Sequence, residues 1–193
     1  ASSLHYQLGG AFASLQSSGA AQTGTVFASY TLVRARRQNL SAQWAMDYKE
    51  FEDRTGAGSP SRNTKNAQVH TVGLKGNFQD AQGSSSGHYA LSWAHGTINL
   101  HDATARSNDA SSAQSNGDFD KLGYSFSWLQ ETAERRSLYL GLSGQWASKN
   151  LDAAEKFSLG GSGGVRAYPS GEASGDEGLL LTLEGRTHWP TLS

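Results

Sequence analysis

Apolar and polar residues alternate with a period of two along most of this chain. The clearest run is Leu40 to Phe51. Leu40, Ala42, Trp44, Met46 and Tyr48 share one parity, and Ser41, Gln43, Ala45, Asp47 and Lys49 the other. That period sends successive side chains to opposite faces of an extended strand and does not fit a helix. The alternation recurs in Leu4 to Leu15, Thr25 to Ala35, Ala67 to Phe78, His88 to Leu100, Leu122 to Trp128, Leu138 to Trp146 and Leu179 to His188. In His88 to Leu100 the parity changes near its end, which predicts a bulge there.

The pattern predicts eight strands of about ten to thirteen residues, longer than the five or six usual in soluble sheets and close to the 9 to 11 tilted residues that cross a bilayer. A sheet in lipid has to pair all its backbone groups, so it has to close. The connections alternate in length. They are short around Arg37, Gly83 and Arg135, intermediate at 17–24, and long at 53–66, 101–118 and 157–178. Short periplasmic turns and longer extracellular loops have this asymmetry. The fold class expected is therefore all-β, a transmembrane antiparallel up-and-down barrel forming a single domain over 1–193. Aromatic residues at strand ends (Tyr6, Phe12, Tyr48, Phe78, Tyr89, Trp128, Trp146) fit interfacial girdles, with Trp44 and Trp93 further in.

Composition narrows the classes. A net charge of -1 gives no field for nucleic acid. Mean hydropathy is low at -0.54, as a polar inner face would make it. The chain has no cysteine, so it holds no disulfide framework or thiolate metal site. It has no apolar run long enough for a membrane helix, and it opens at Ala1 without a leader pattern, as a processed or trimmed chain would. No catalytic constellation stands out, and no cofactor is called for. His95, His101 and Asp102 offer only a partial metal set, and Gly160 to Gly164 lacks the GK[ST] ending of a phosphate loop.

The most specific stretch is 157–178, FSLGGSGGVRAYPSGEASGDEG. A surface linker rarely carries Val-Arg-Ala-Tyr-Pro at its centre. The other reading is a loop that folds into a confined space with Arg166 as its anchor. A guanidinium there needs a carboxylate. By parity Asp47, Glu50 and Glu184 lie on or near inward faces, and Glu184 is the first in-chain partner expected. Arg186 could neutralise Glu184 instead, and Glu172, Asp176 and Glu177 are local alternatives. Gly73, Gly123 and Gly141, with Ser125, Ser127 and Ser143, lie on the polar faces. They fit either a close approach to the inner wall or a wet lumen.

Val165, Arg166, Tyr168, Pro169, Gly171, Glu172, Gly175 and Asp176, between KFSLGG and LLLTLEGR, resemble the signature of the two-partner-secretion outer-membrane transporters, the haemolysin and adhesin exporters of the insertase superfamily. Ala167 departs from a glycine in that pattern. The resemblance implies a 16-stranded barrel in outer-membrane lipid, preceded by POTRA domains, that threads an unfolded exoprotein across the membrane without ATP. It implies that the signature loop enters the lumen, where its arginine meets an acidic residue of strand thirteen. The eight strands here would be strands five to twelve, and the chain ends without the terminal aromatic of complete barrels. It is thus expected to be either an internal piece of a transporter or a small closed eight-stranded module without transport activity. A soluble lipocalin-like binder is the third alternative; it requires an apolar interior.

Overall fold

The computed structural model describes residues 1–7, 18–55, 61–133, 135–160 and 173–187. All eight expected strands are present in one antiparallel sheet. They are β1 (Ser2–Gln7), β2 (Ser18–Arg34), β3 (Gln38–Thr55), β4 (Ser61–Gln79), β5 (Ser85–Leu100), β6 (Gly117–Ala133), β7 (Arg136–Ala147) and β10 (Gly178–Thr187). Each pairs with the next in the order β1-β2-β3-β4-β5-β6-β7-β10. β1 and β10 stand at the two ends of that order, and no register joins them among the described residues. Two further short strands, β8 (Phe157–Ser158) and β9 (Ser174–Gly175), form a separate ribbon in the β7–β10 connection.

Register turns the alternation into two faces. Trp44, Val72, Trp93, Leu122 and Trp146 form one continuous cross-strand row. Leu40, Gly76, Tyr89, Phe126, Leu142 and Leu181 form another on the same face. Trp44 and Trp93, expected to sit further in than Trp146, are in register with it. We call this the outer face. On the opposite, inner face one row reads Ser29, Gln43, Gly73, Ser92, Gly123, Gln145 and Gly178. The alternation on β10 is as plain in exposure as in sequence: Leu179, Leu181 and Leu183 are 61%, 64% and 68% exposed, while Leu180 and Thr182 between them are half-buried. Leu4 and Phe27 depart from the pattern. Register puts them opposite Ala21 and Ala45, on the inner-face side of the β1–β2 edge.

Four expectations about the strands change. β2 to β6 are longer than predicted, at 16 to 19 residues. Parts of 17–24 and 53–66, expected as loops, are strand, because cross-strand hydrogen bonding continues where both faces have become polar and the period of two fades. The segment expected over Leu4 to Leu15 is described only as Ser2–Gln7; 8–17 lies outside the described residues. The expected bulge in β5 is absent: both its registers run unbroken. Ile98 has inner parity and is buried there, so apolar character changes face without a change of register. Bulges occur instead at Thr31/Val33 and Glu131/Ala133.

The polar stretch 101–118 contains a helix, α1 (Ala103–Ser111), which the alternation could not reveal because none of its residues is buried. Asp102 caps it by accepting from the Ala105 amide at 2.9 Å. At its far end the Asp109 carboxylate accepts from the Ser115 amide and hydroxyl and from the Asn116 amide. Burial pushes the Asp109 pKa up, but these donors and nearby Lys149 hold it below the ordinary aspartate value.

Candidate functional site

The site is built on the inner face near the end that carries the long connections. There the wall turns apolar: Ala67 and Val69 of β4, Ala94 and Ile98 of β5, Phe119 of β6 and Ala147 of β7 are all buried. What buries them is the start of the β7–β10 connection. Leu151, 2% exposed, belongs to the same cluster. Covering this patch removes apolar surface from water that the sheet alone would leave exposed.

Two carboxylates fix the cover in place. Asp152 accepts from the Ala154 amide and starts a single 3-10 turn, Ala153–Glu155. The turn aims Glu155 at the wall, where it is 3% exposed. Glu155 bridges two strands, with Lys49 Nζ of β3 at 2.6 Å and Lys121 Nζ of β6 at 2.7 Å. Asp152 pairs with Lys65 Nζ of β4 at 2.6 Å. A buried carboxylate is costly unless paired and hydrogen-bonded, and both conditions hold here. The Glu155 carbonyl also accepts from Gln145 Nε2 at 3.1 Å and from Lys121 Nζ at 3.3 Å.

The returning arm is tied to the same place. Gln145 Nε2 donates to the Asp176 carbonyl at 3.0 Å, and the Leu151 amide donates to Asp176 Oδ1 at 2.7 Å. Lys156 Nζ lies 3.4 Å from that oxygen. Phe157 and Gly175 are paired in the β8–β9 ribbon. A Cβ on Gly178 would run into the Phe157 ring, so this glycine is required by a close approach. At Gly73, Gly123 and Gly141 the nearest neighbours belong to the wall itself, so among the described residues no loop atom explains those glycines.

Toward the short-turn end the inner face is open. A groove of about 550 Å³ is lined there by Ser41, Lys75, His88, Ser125, Ser143 and Thr182, among others. Its hydroxyl, imidazole and ammonium groups suit water and a polar backbone better than a lipid tail.

The sequence-predicted residues divide. Val165, Arg166, Ala167, Tyr168, Pro169, Gly171 and Glu172 lie outside the described residues. Gly175 and Asp176 are described and sit at the root of the loop, where Asp176 receives Leu151 and Lys156. Glu184 has inner parity as expected and accepts from Arg186 Nε and Nη2 at 2.9 and 2.8 Å. Asp47 accepts from Thr25 Oγ1, whereas Glu50 shares the outer parity of Tyr48 and accepts from its hydroxyl, which corrects its inward assignment. His95 pairs with Asp120 while Asp102 caps α1, and no metal-holding cluster occurs among the described residues. Sequence reasoning missed Asp152 and Glu155. The signal for them was the lysines of inner parity, Lys65 for Asp152 and Lys49 and Lys121 for Glu155.

Comparisons with known proteins agree with this geometry. The family described as haemolysin secretion/activation protein ShlB/FhaC/HecB matches residues 1–187. The heme/hemopexin transporter protein HuxB of Haemophilus influenzae strain 86-028NP is 28% identical over 190 residues, covering 98% of this chain and 33% of that protein. HuxB of strain ATCC 51907 gives the same identity and coverage. The chain thus spans about a third of the length of these relatives. Among solved structures, CdiB from Escherichia coli superposes with a TM-score of 0.68 at 20% identity, over 92% of this chain and 32% of that one. That likeness is one of fold.

Proposed function

The chain belongs to the ShlB/FhaC/HecB haemolysin secretion/activation family of outer-membrane transporters, and from that premise we propose that it is eight strands of the barrel wall through which an unfolded partner exoprotein leaves the cell without ATP. Members of this family are channels of the bacterial outer membrane and not enzymes. The observation that carries the reading is the division between faces. Trp44, Val72, Leu74, Leu91, Trp93, Trp146, Leu179, Leu181 and Leu183 are all exposed on the outer face. A contiguous apolar surface of this kind is expensive in water and suited to lipid. Outside the apolar patch that the start of the loop covers, the inner face carries mainly small and polar residues. This arrangement is the reverse of a lipocalin-like binder, whose interior is apolar.

In this reading the sheet ends, β1 and β10, are completed by further strands of a larger wall. A closed eight-stranded barrel would instead fill its interior with side chains, with no space for a passing chain. The signature Val165 to Asp176 then lies in the lumen, and Arg166 is its anchor. Glu184 remains a candidate contact on the inner wall. A charged hydrogen bond of this type contributes about 1.5–3 kcal/mol, so Arg166→Ala is expected to lower secretion roughly tenfold or more. Co-expression of the full-length transporter with its exoprotein, assayed in the culture medium, tests this. Barrel content, read from heat-modifiable migration, should not change. Secretion at the parental level by Arg166→Ala would remove the role assigned to this arginine.

A further inference from the structure

We propose that Leu151 to Glu155 is a fastener that positions the signature loop and stays closed on the wall while the exoprotein passes. The proposal rests on the export reading but concerns different residues from the signature. Four features point to a permanent anchor. Leu151 is sealed in an apolar patch drawn from four strands. Glu155 is nearly inaccessible and joins β3 to β6 across the two strands between them. Asp152 adds an attachment to β4. Gln145 and Asp176 tie the departing and returning arms to each other at the same point.

Lifting this root would strand Lys49, Lys65, Lys121 and two carboxylates without partners, and it would expose the apolar patch. Anchors on several strands make such a release much less favourable than motion beyond them. The root itself therefore stays in place during export. The passing chain is left the open inner face around Ser41, Lys75 and Ser125. On this view Glu155 is a positioning residue: it acts through the loop it holds and touches no substrate.

The test replaces the ion pair with a removable covalent bridge in the full-length transporter. This chain carries no cysteine, so K121C/E155C adds the only two thiols in it. Without a bridge the variant should secrete its exoprotein roughly tenfold less than the parent, because Lys49 loses its partner and the root is unfastened. Bridging the two thiols with a short bis-methanethiosulfonate should restore secretion, and reduction should return it to the lower, unbridged level. Heat-modifiable migration should be the same in all three states, which separates positioning from assembly. Parental secretion by the unbridged variant would overturn the proposal, and so would a bridged variant that fails to secrete. Should the parent itself export nothing, the export reading fails instead. Conductance in planar bilayers then decides the fastener: parental when bridged and altered when unbridged supports it, and no difference overturns it.

Discussion

Arginine at position 74 is expected to destabilise the folded wall in a bilayer by about 2–4 kcal/mol, and arginine at position 43 by far less. Leu74 is on the outer face, directly opposite Ala42 and Leu91. Its neighbours there offer no counter-charge, and the side chain is nearly half exposed. In lipid a guanidinium at that position has to reach the interface or remain unsolvated. Gln43 has the opposite parity, between Ser29 and Gly73, where a longer cation extends into polar space. The pair Leu74→Arg and Gln43→Arg therefore compares equal charge on opposite faces of adjacent strands. Urea titration of folding into lipid vesicles gives the two values directly. Equal losses would mean that the outer face does not meet hydrocarbon.

The second large effect is expected at Glu155. Glu155→Ala removes the carboxylate from Lys49 and leaves Lys121 only the backbone carbonyl of that position, and breaking a buried ion pair from one side costs about 3–5 kcal/mol. Both lysines retain about a fifth of their side-chain surface in contact with solvent, so relaxation toward water brings the cost to the low end. About 3 kcal/mol corresponds to roughly a hundredfold loss of protection against amide exchange in the segment that opens. The loss should be confined to residues around Leu151 to Phe157, while β4 and β5 amides at the sheet centre keep their protection. Glu155→Gln should fall between, since its carbonyl still accepts from one lysine while its amide faces the other. Unchanged exchange at Glu155 and its neighbours in Glu155→Ala would show that the ion pairs do not hold the cover down.

The sheet was legible in the sequence because its two faces differ in chemistry. Where they differ most, as at Leu40 to Tyr48 and Leu179 to Glu184, the sequence shows both strand and parity. Where both faces are polar, as at Asp53 to Thr55 and Arg62 to Asn66, the period disappears although the hydrogen bonds do not, and those ends read as loop. Ile98 misled for a related reason. It is an apolar residue of inner parity, buried by a cover that no local pattern announces. Asp152 and Glu155 find Lys65, Lys49 and Lys121 at sequence separations of 87, 106 and 34 residues. Such pairs follow from sheet register, which cannot be read one strand at a time. The signature around Arg166 was legible only as a resemblance, since nothing in its local physics requires that spacing.

If the sheet is a membrane wall, alternate residues of one strand meet lipid and water. Spin labels placed singly at positions 71 to 75 of β4 in the full-length protein, reconstituted in vesicles, separate the two environments. Labels at 72 and 74 should be relaxed mainly by oxygen dissolved in the acyl chains, and those at 71, 73 and 75 mainly by an aqueous nickel chelate. Equal accessibility of both parities to either reagent would show that the two faces do not meet different media.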